Sequence, residues 1–175
     1  LYQKQKALVA LGVMDFDSYG EMDNNKEVTR SEFIGDISRF LNINPTAIAD
    51  KTYFNDVSVK SWYTYTLNTL VDMGIISKAD NFYPDRVITT NEAIKIMTCL
   101  LGYGTFAQLN GGYPGGYIDA ARRSGLLKDL QTDGNLTNKA MSVLLYNTLD
   151  AGVLEIVGFD GIPTGTNTGE TLLSV

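Results

Sequence analysis

One unit is written three times along these 175 residues, and that repetition constrains the fold more than any single motif does. Each copy has an apolar stretch, a glycine, two apolar residues, a polar loop, an apolar residue followed by threonine, and an amphipathic helix. The first runs Ala7-Leu8-Val9-Ala10-Leu11-Gly12-Val13-Met14 and resumes at Val28-Thr29-Arg30-Ser31-Glu32-Phe33. The second runs Thr69-Leu70-Val71-Asp72-Met73-Gly74-Ile75-Ile76 and resumes at Ile88-Thr89-Thr90-Asn91-Glu92-Ala93. The third runs Ala120-Ala121-Arg122-Arg123-Ser124-Gly125-Leu126-Leu127 and resumes at Leu136-Thr137-Asn138-Lys139-Ala140-Met141. Units in fixed order bury each other's apolar faces. Function is then to be sought where the units differ or meet.

The glycine of each copy sits where a helix stops, because glycine takes the left-handed conformation without a Cβ clash. Thr29 with Glu32, and Thr89 with Glu92, fit the capping box that opens a helix; Thr137 has Ala140 in the glutamate's place. Phe33, Ile34, Ile37, Phe40 and Leu41 share one helical face. So do Ala93, Ile94, Met97, Leu100 and Leu101, and likewise Ala140, Met141, Leu144, Leu145 and Thr148. These patterns predict an all-α fold of three repeated helical hairpins around one shared core, with irregular loops and a short C-terminal extension. The unit boundaries fall at about residues 1–45, 46–103 and 104–152, the first unit being cut short at its start. Residues 153–175, where Gly, Thr and Asn dominate, read as a linker or the start of a following domain.

Composition narrows the chemistry. There is no histidine, which removes histidine triads, zinc–histidine sites and the HExxH chemistry. The lone cysteine, Cys99, reads as a small core hydrophobe. Twenty acidic residues against 14 basic ones give a net charge of −6, which argues against a general grip on nucleic acid. No apolar run approaches the roughly 20 residues of a membrane-spanning helix. Neither a signal peptide nor a closing turn stands at the ends, so the chain reads as part of a longer protein.

The loop from Asp15 to Lys26 resembles the start of an EF-hand, but Tyr19 and Lys26 occupy ligand positions, so no metal site is expected there. No carboxylate pair is singled out by its spacing, and no activated nucleophile is evident; neither enzyme activity nor a cofactor is expected. Arg30, at the first turn of its helix, is the candidate anion-binding residue, since guanidinium matches carboxylate and helix N-termini favour anions. Thr29 and Glu32 are capping residues beside it. Trp62 could stack on a sugar, and Asp56 reads as a cap for the helix that carries Trp62 or as a shaper of the groove.

Taken together, Phe54-Asn55-Asp56-Val57, Trp62, Gly74-Ile75-Ile76 and Val28-Thr29-Arg30-Ser31-Glu32 resemble the S-layer homology (SLH) family over about residues 5–152. The resemblance implies a pseudo-threefold helical domain on the bacterial cell surface. It also implies extracellular anchoring of an exported protein to an anionic, often pyruvylated, secondary cell-wall polysaccharide. Grooves between units would bind the sugar, with Arg30 meeting the acid and Thr29, Glu32, Trp62 and Asp56 around it. The arginine occurs once; Thr90 and Asn138 replace it in the other copies. The rival reading is a structural module that assembles with other surface-protein subunits, as in an S-layer lattice or filament, its sugar binding largely lost.

Overall fold

A first helix that stops at a left-handed glycine opens each unit. The computed structural model describes residues 1–157 and 164–171, with side chains through Ala151. These first helices are α1 (Tyr2–Ala10), α3 (Thr64–Asp72) and α6 (Gly115–Arg123). Gly12, Gly74 and Gly125 have φ of 71°, 72° and 88°. After each, an apolar N–H reaches back to the third-last helical carbonyl: Val13 to Leu8, Ile75 to Leu70 and Leu126 to Ala121, all at 2.9 Å. That is the Schellman stop, and its two apolar partners enter the core together.

The second helices are α2 (Arg30–Phe40), α4 (Thr90–Leu100) and α7 (Asn138–Asp150). Thr29 and Thr89 form full capping boxes with Glu32 and Glu92. Thr137 caps α7 one way, accepting from the Ala140 N–H at 3.3 Å. A short helix that the sequence reading did not foresee, α5 (Gly104–Leu109), packs between α4 and α6. The fold is all-α through residue 151. Beyond it, β1 (Gly152–Val157) and β2 (Thr164–Thr171) pair antiparallel, Val157 opposite Thr164 and Gly152 opposite Thr171, with an irregularity between Gly152 and Leu154. The rest of the stretch read as a linker or following domain, residues 158–163 and 172–175, lies outside the described residues.

Apart from α5, which packs on α6 as well as on α4, the first and second helices pair between units rather than within them. α3 packs on α2, α6 on α4, and α1 on α7. At the centre, the apolar residue before each capping threonine closes a ring of backbone hydrogen bonds. The Val28 N–H donates to Leu136 O at 2.9 Å, Leu136 N–H to Ile88 O at 2.9 Å, and Ile88 N–H to Val28 O at 3.0 Å. All three side chains are buried. The apolar faces of α2, α4 and α7 meet around this ring in one core that includes Phe33, Ile37, Ile94, Met97, Met141 and Leu144.

Candidate functional site

Among the described residues, three grooves lie where units meet, each beside the first turn of a second helix. Arg30 lines one of about 280 Å³ with Ile76, Ser77, Glu92, Lys95 and Tyr113. Asn138 lines another of about 260 Å³ with Lys26, Glu32, Gly35, Asp36 and Trp62. Thr90 lines the third, of about 330 Å³, with Leu130, Asp133, Lys139 and Ala140. The structure therefore divides the five candidate residues. Arg30 faces one groove, Glu32 and Trp62 face another, and Thr29 is spent as a cap.

Arg30 is held by the unit that follows it. Its Nε–H donates to Phe82 O at 2.8 Å, and its Nη1 donates to Glu92 Oε1 at 3.0 Å. The guanidinium lies 4.5 Å from the centre of the Phe82 ring. Burial holds its pKa below the ordinary arginine value, against the pull of Glu92; an arginine remains a cation regardless.

Asp56 fixes the loop that makes this seat. Its Oδ1 accepts from the Phe82 N–H at 2.7 Å and its Oδ2 from the Tyr83 N–H at 2.6 Å, and Tyr83 has φ of 57°. The expectation that Asp56 caps the helix after it is thus corrected: α3 has Tyr63 at its N-cap and no side-chain cap. The carboxylate instead satisfies two N–H groups of a loop that turns through left-handed backbone, where no regular ladder can reach them.

A second correction concerns the helix N-terminus. The Arg30 N–H donates to Arg86 O and the Ser31 N–H to Pro84 O, each at 2.9 Å, and the Glu32 N–H is taken by Thr29. Those N–H groups are engaged and do not converge with the guanidinium on an anion. Any anion must meet side-chain cations.

Charge distinguishes the grooves. Glu92 accepts from Arg30 and also from Arg86, whose Nη2 lies at 2.5 Å. Burial would raise the Glu92 pKa, but the Arg86 and Thr89 hydrogen bonds and the two guanidiniums hold it low. Two cations share the Glu92 carboxylate, and the Asp56 carboxylate also acts on Arg30. Lys95, which makes no ion pair among the described residues, adds a third cation; its Nζ lies 5.8 Å from the Tyr117 ring centre. The Asn138 groove sets Lys26 and Arg39 against Asp15, Glu32 and Asp36, and the Thr90 groove sets Lys139 against Asp129 and Asp133. Of these three grooves, the Arg30 groove is the one whose described lining carries more cations than carboxylates. Arg86, in the loop ahead of α4, serves this groove through Glu92.

Sequence reading missed two residues here. Tyr113, 51% exposed, stands as far ahead of Gly125 as Trp62 stands ahead of Gly74. Each is the aromatic that leads into the next unit and borders the groove before it. Lys95 lies one turn beyond Glu92 on α4 and carried no motif. Among the described residues no cluster of three or more histidine, cysteine or acidic groups could hold a metal ion. In the loop that resembles an EF-hand, Asp17 accepts from the Tyr19 and Glu21 N–H groups, each at 2.9 Å.

Residues 53–94 match the S-layer homology domain. The S-layer homology stretch runs from the Tyr53–Val57 lead-in through Trp62, α3, the Gly74 stop and the Asp56-bound loop into the first turns of α4. Arg30, Thr29 and Glu32 precede it. A search of the curated proteins finds no match to the chain. The S-layer homology domain is a non-catalytic family known for cell-wall anchoring, so the match supports a surface-anchoring, non-enzymatic module. No helix among the described residues is long and apolar enough to cross a membrane.

Proposed function

We propose that residues 1–152 form three S-layer homology units around a pseudo-threefold axis. In this reading they anchor a larger exported protein to an anionic secondary cell-wall polysaccharide of a bacterium. The observation that carries the reading is the cation excess of the Arg30 groove in a chain of net charge −6. An acidic sugar would place its carboxylate between Arg30 and Lys95 and lay its ring toward Tyr113. The guanidinium is already desolvated and fixed by Phe82, so little side-chain entropy is lost on binding. Thr90 and Asn138 carry no charge, and their grooves lean acidic.

Calorimetric titration with a pyruvylated wall fragment should find one tight site per chain, weakened by salt. Arg30→Ala should cost about 1.5–3 kcal/mol, the range of a hydrogen bond to a charged group. Equal binding of wall sacculi by wild type and Arg30→Ala, or three equivalent tight sites, would overturn the assignment.

A further inference from the structure

The turn between α5 and α6 carries the groups for a reaction of its own. Asn110 is the one asparagine of the chain that a glycine follows. A side chain at the following position shields the main-chain nitrogen from the asparagine carboxamide, and Gly111 has none. Both residues are exposed. The Gly111 N–H donates to no acceptor among the described residues, so no hydrogen bond ties its nitrogen into the fold. Two features keep the pair apart while the turn is closed. The Asn110 Nδ2 donates to Phe106 O at 2.8 Å. Asn110 has φ of −102° and ψ of 36°, which turns the Gly111 nitrogen away from Asn110 Cγ. Attack therefore requires rotation about ψ, and two glycines in a row, Gly111 and Gly112, let the chain follow.

The closed turn has no room for a longer backbone. The Gly112 N–H donates to Ala107 O at 3.0 Å, and the Gly116 N–H to Gly112 O at 2.7 Å. Gly116 lies so close to the end of α5 that a Cβ there would meet Ala107 O at 2.1 Å and Asn110 O at 3.0 Å. Packing this close transmits the insertion of even one methylene. Tyr113, at the rim of the Arg30 groove, stands between the two hydrogen-bonded glycines.

We propose that Asn110 is a self-modification site, at which the Gly111 nitrogen attacks Asn110 Cγ and the chain deamidates through a succinimide. Water or hydroxide takes the Gly111 amide proton as the N–Cγ bond forms. The Cγ–Nδ2 bond then breaks, and Nδ2 takes up a proton from water and leaves as ammonia. A second water opens the five-membered imide, with no change of oxidation state. Breaking the N–Cγ bond gives aspartate at position 110. Breaking the bond to the main-chain carbonyl carbon gives isoaspartate, whose chain runs through Cβ and Cγ. That product adds a negative charge and one methylene between α5 and Gly116. The Gly112 and Gly116 hydrogen bonds then loosen, and Tyr113 shifts with them.

The protein is held at pH 8.5 and 37 °C for several weeks beside a free peptide of the sequence Gln108–Tyr113, and both are followed by peptide mapping in acid. Position 110 should gain one mass unit, release ammonia and yield both aspartate and isoaspartate. The folded protein should react on the order of tenfold or more slowly than the peptide, because only the opened turn can react, and urea should remove the difference. Asn110→Gln, which would need a six-membered ring, should stay unmodified over the same period. Hydrogen exchange at the Gly112 and Gly116 amides should be faster in the isoaspartate form and unchanged in Asn110→Asp, which has the charge without the methylene. An intact Asn110 in the folded protein once the peptide has converted would overturn the proposal. So would aspartate without isoaspartate, the mark of direct hydrolysis, or wild-type exchange in the isoaspartate form. None of these readings depends on what the Arg30 groove binds.

Discussion

Asp36 shows how far burial can outweigh a good partner. Its carboxylate is paired with Arg39, yet burial, assisted by Glu32 and Asp15, pushes its pKa up to about 6. The folded protein therefore binds this proton more tightly than the unfolded chain does. The stability it contributes is full below an ordinary aspartate pKa near 3.9 and is lost as pH rises through about 6, amounting to up to about 3 kcal/mol. Asp36→Asn should accordingly raise the urea midpoint at pH 7.5, with the advantage shrinking toward pH 4.5; a variant less stable than wild type at pH 7.5 would contradict this. Other individual residues were unevenly legible. Arg30 stood out because its motif is local and its charge unusual for the position. The role of Asp56 did not, because the N–H groups it accepts from lie at Phe82 and Tyr83, far along the chain. Tyr113 was hidden because its lead-in replaces the tryptophan and surrounds it with glycines.

Helix ends were readable because the groups that make them sit within five residues of one another. Thr-x-x-Glu and the glycine followed by an apolar residue each satisfy orphan backbone groups locally. The three caps differ in depth. At Thr29 and Thr89 the glutamate carboxylate accepts in turn from the threonine N–H, at 2.9 and 3.0 Å; at Thr137 the Ala140 side chain has no acceptor to offer. Thr29→Ala and Thr89→Ala should each cost roughly 0.5–2 kcal/mol, with Thr137→Ala at the low end of that range. Denaturant unfolding of the three variants checks the order, and a Thr137 variant worse than the other two would contradict it. α5 was not readable. It is six residues long, opens on glycine and has no side-chain cap, so its helicity comes from packing against α4 and α6 rather than from its own sequence. The pairing of helices across units was equally silent: an amphipathic face announces that it will be buried, not against what.

The ring of Val28, Leu136 and Ile88 makes the units depend on one another. Each donates to one neighbour and accepts from the other, so opening any one unit breaks two of the three bonds and exposes the shared core. The first-turn N–H groups repeat the arrangement: Arg30 gives to Arg86, Thr90 to Gly134 and Asn138 to Lys26, at 2.9, 3.0 and 2.9 Å. Native-state hydrogen exchange should show the Val28, Ile88 and Leu136 amides protected to the same degree, that of global unfolding. Earlier exchange of one of them would mean that its unit opens alone. The sequence foretold helices and a common core, but these contacts are main-chain contacts between distant segments, and no side-chain pattern encodes which loop a given N–H will find.

The docking of α1 on α7 has a mechanical meaning. Lys4 holds the Asn147 side chain at 2.8 Å and faces Asp129 at 3.7 Å, and the buried Gln5 reaches toward Ser142 and holds Asn24 at 2.6 Å. A pull on α7 would act on this grip and on the central ring that Leu136 shares with Val28 and Ile88. Beads on a string yield to a pull one after another. A clasp, in which the last piece is fastened to the first, spreads the load over every joint and lets go all at once.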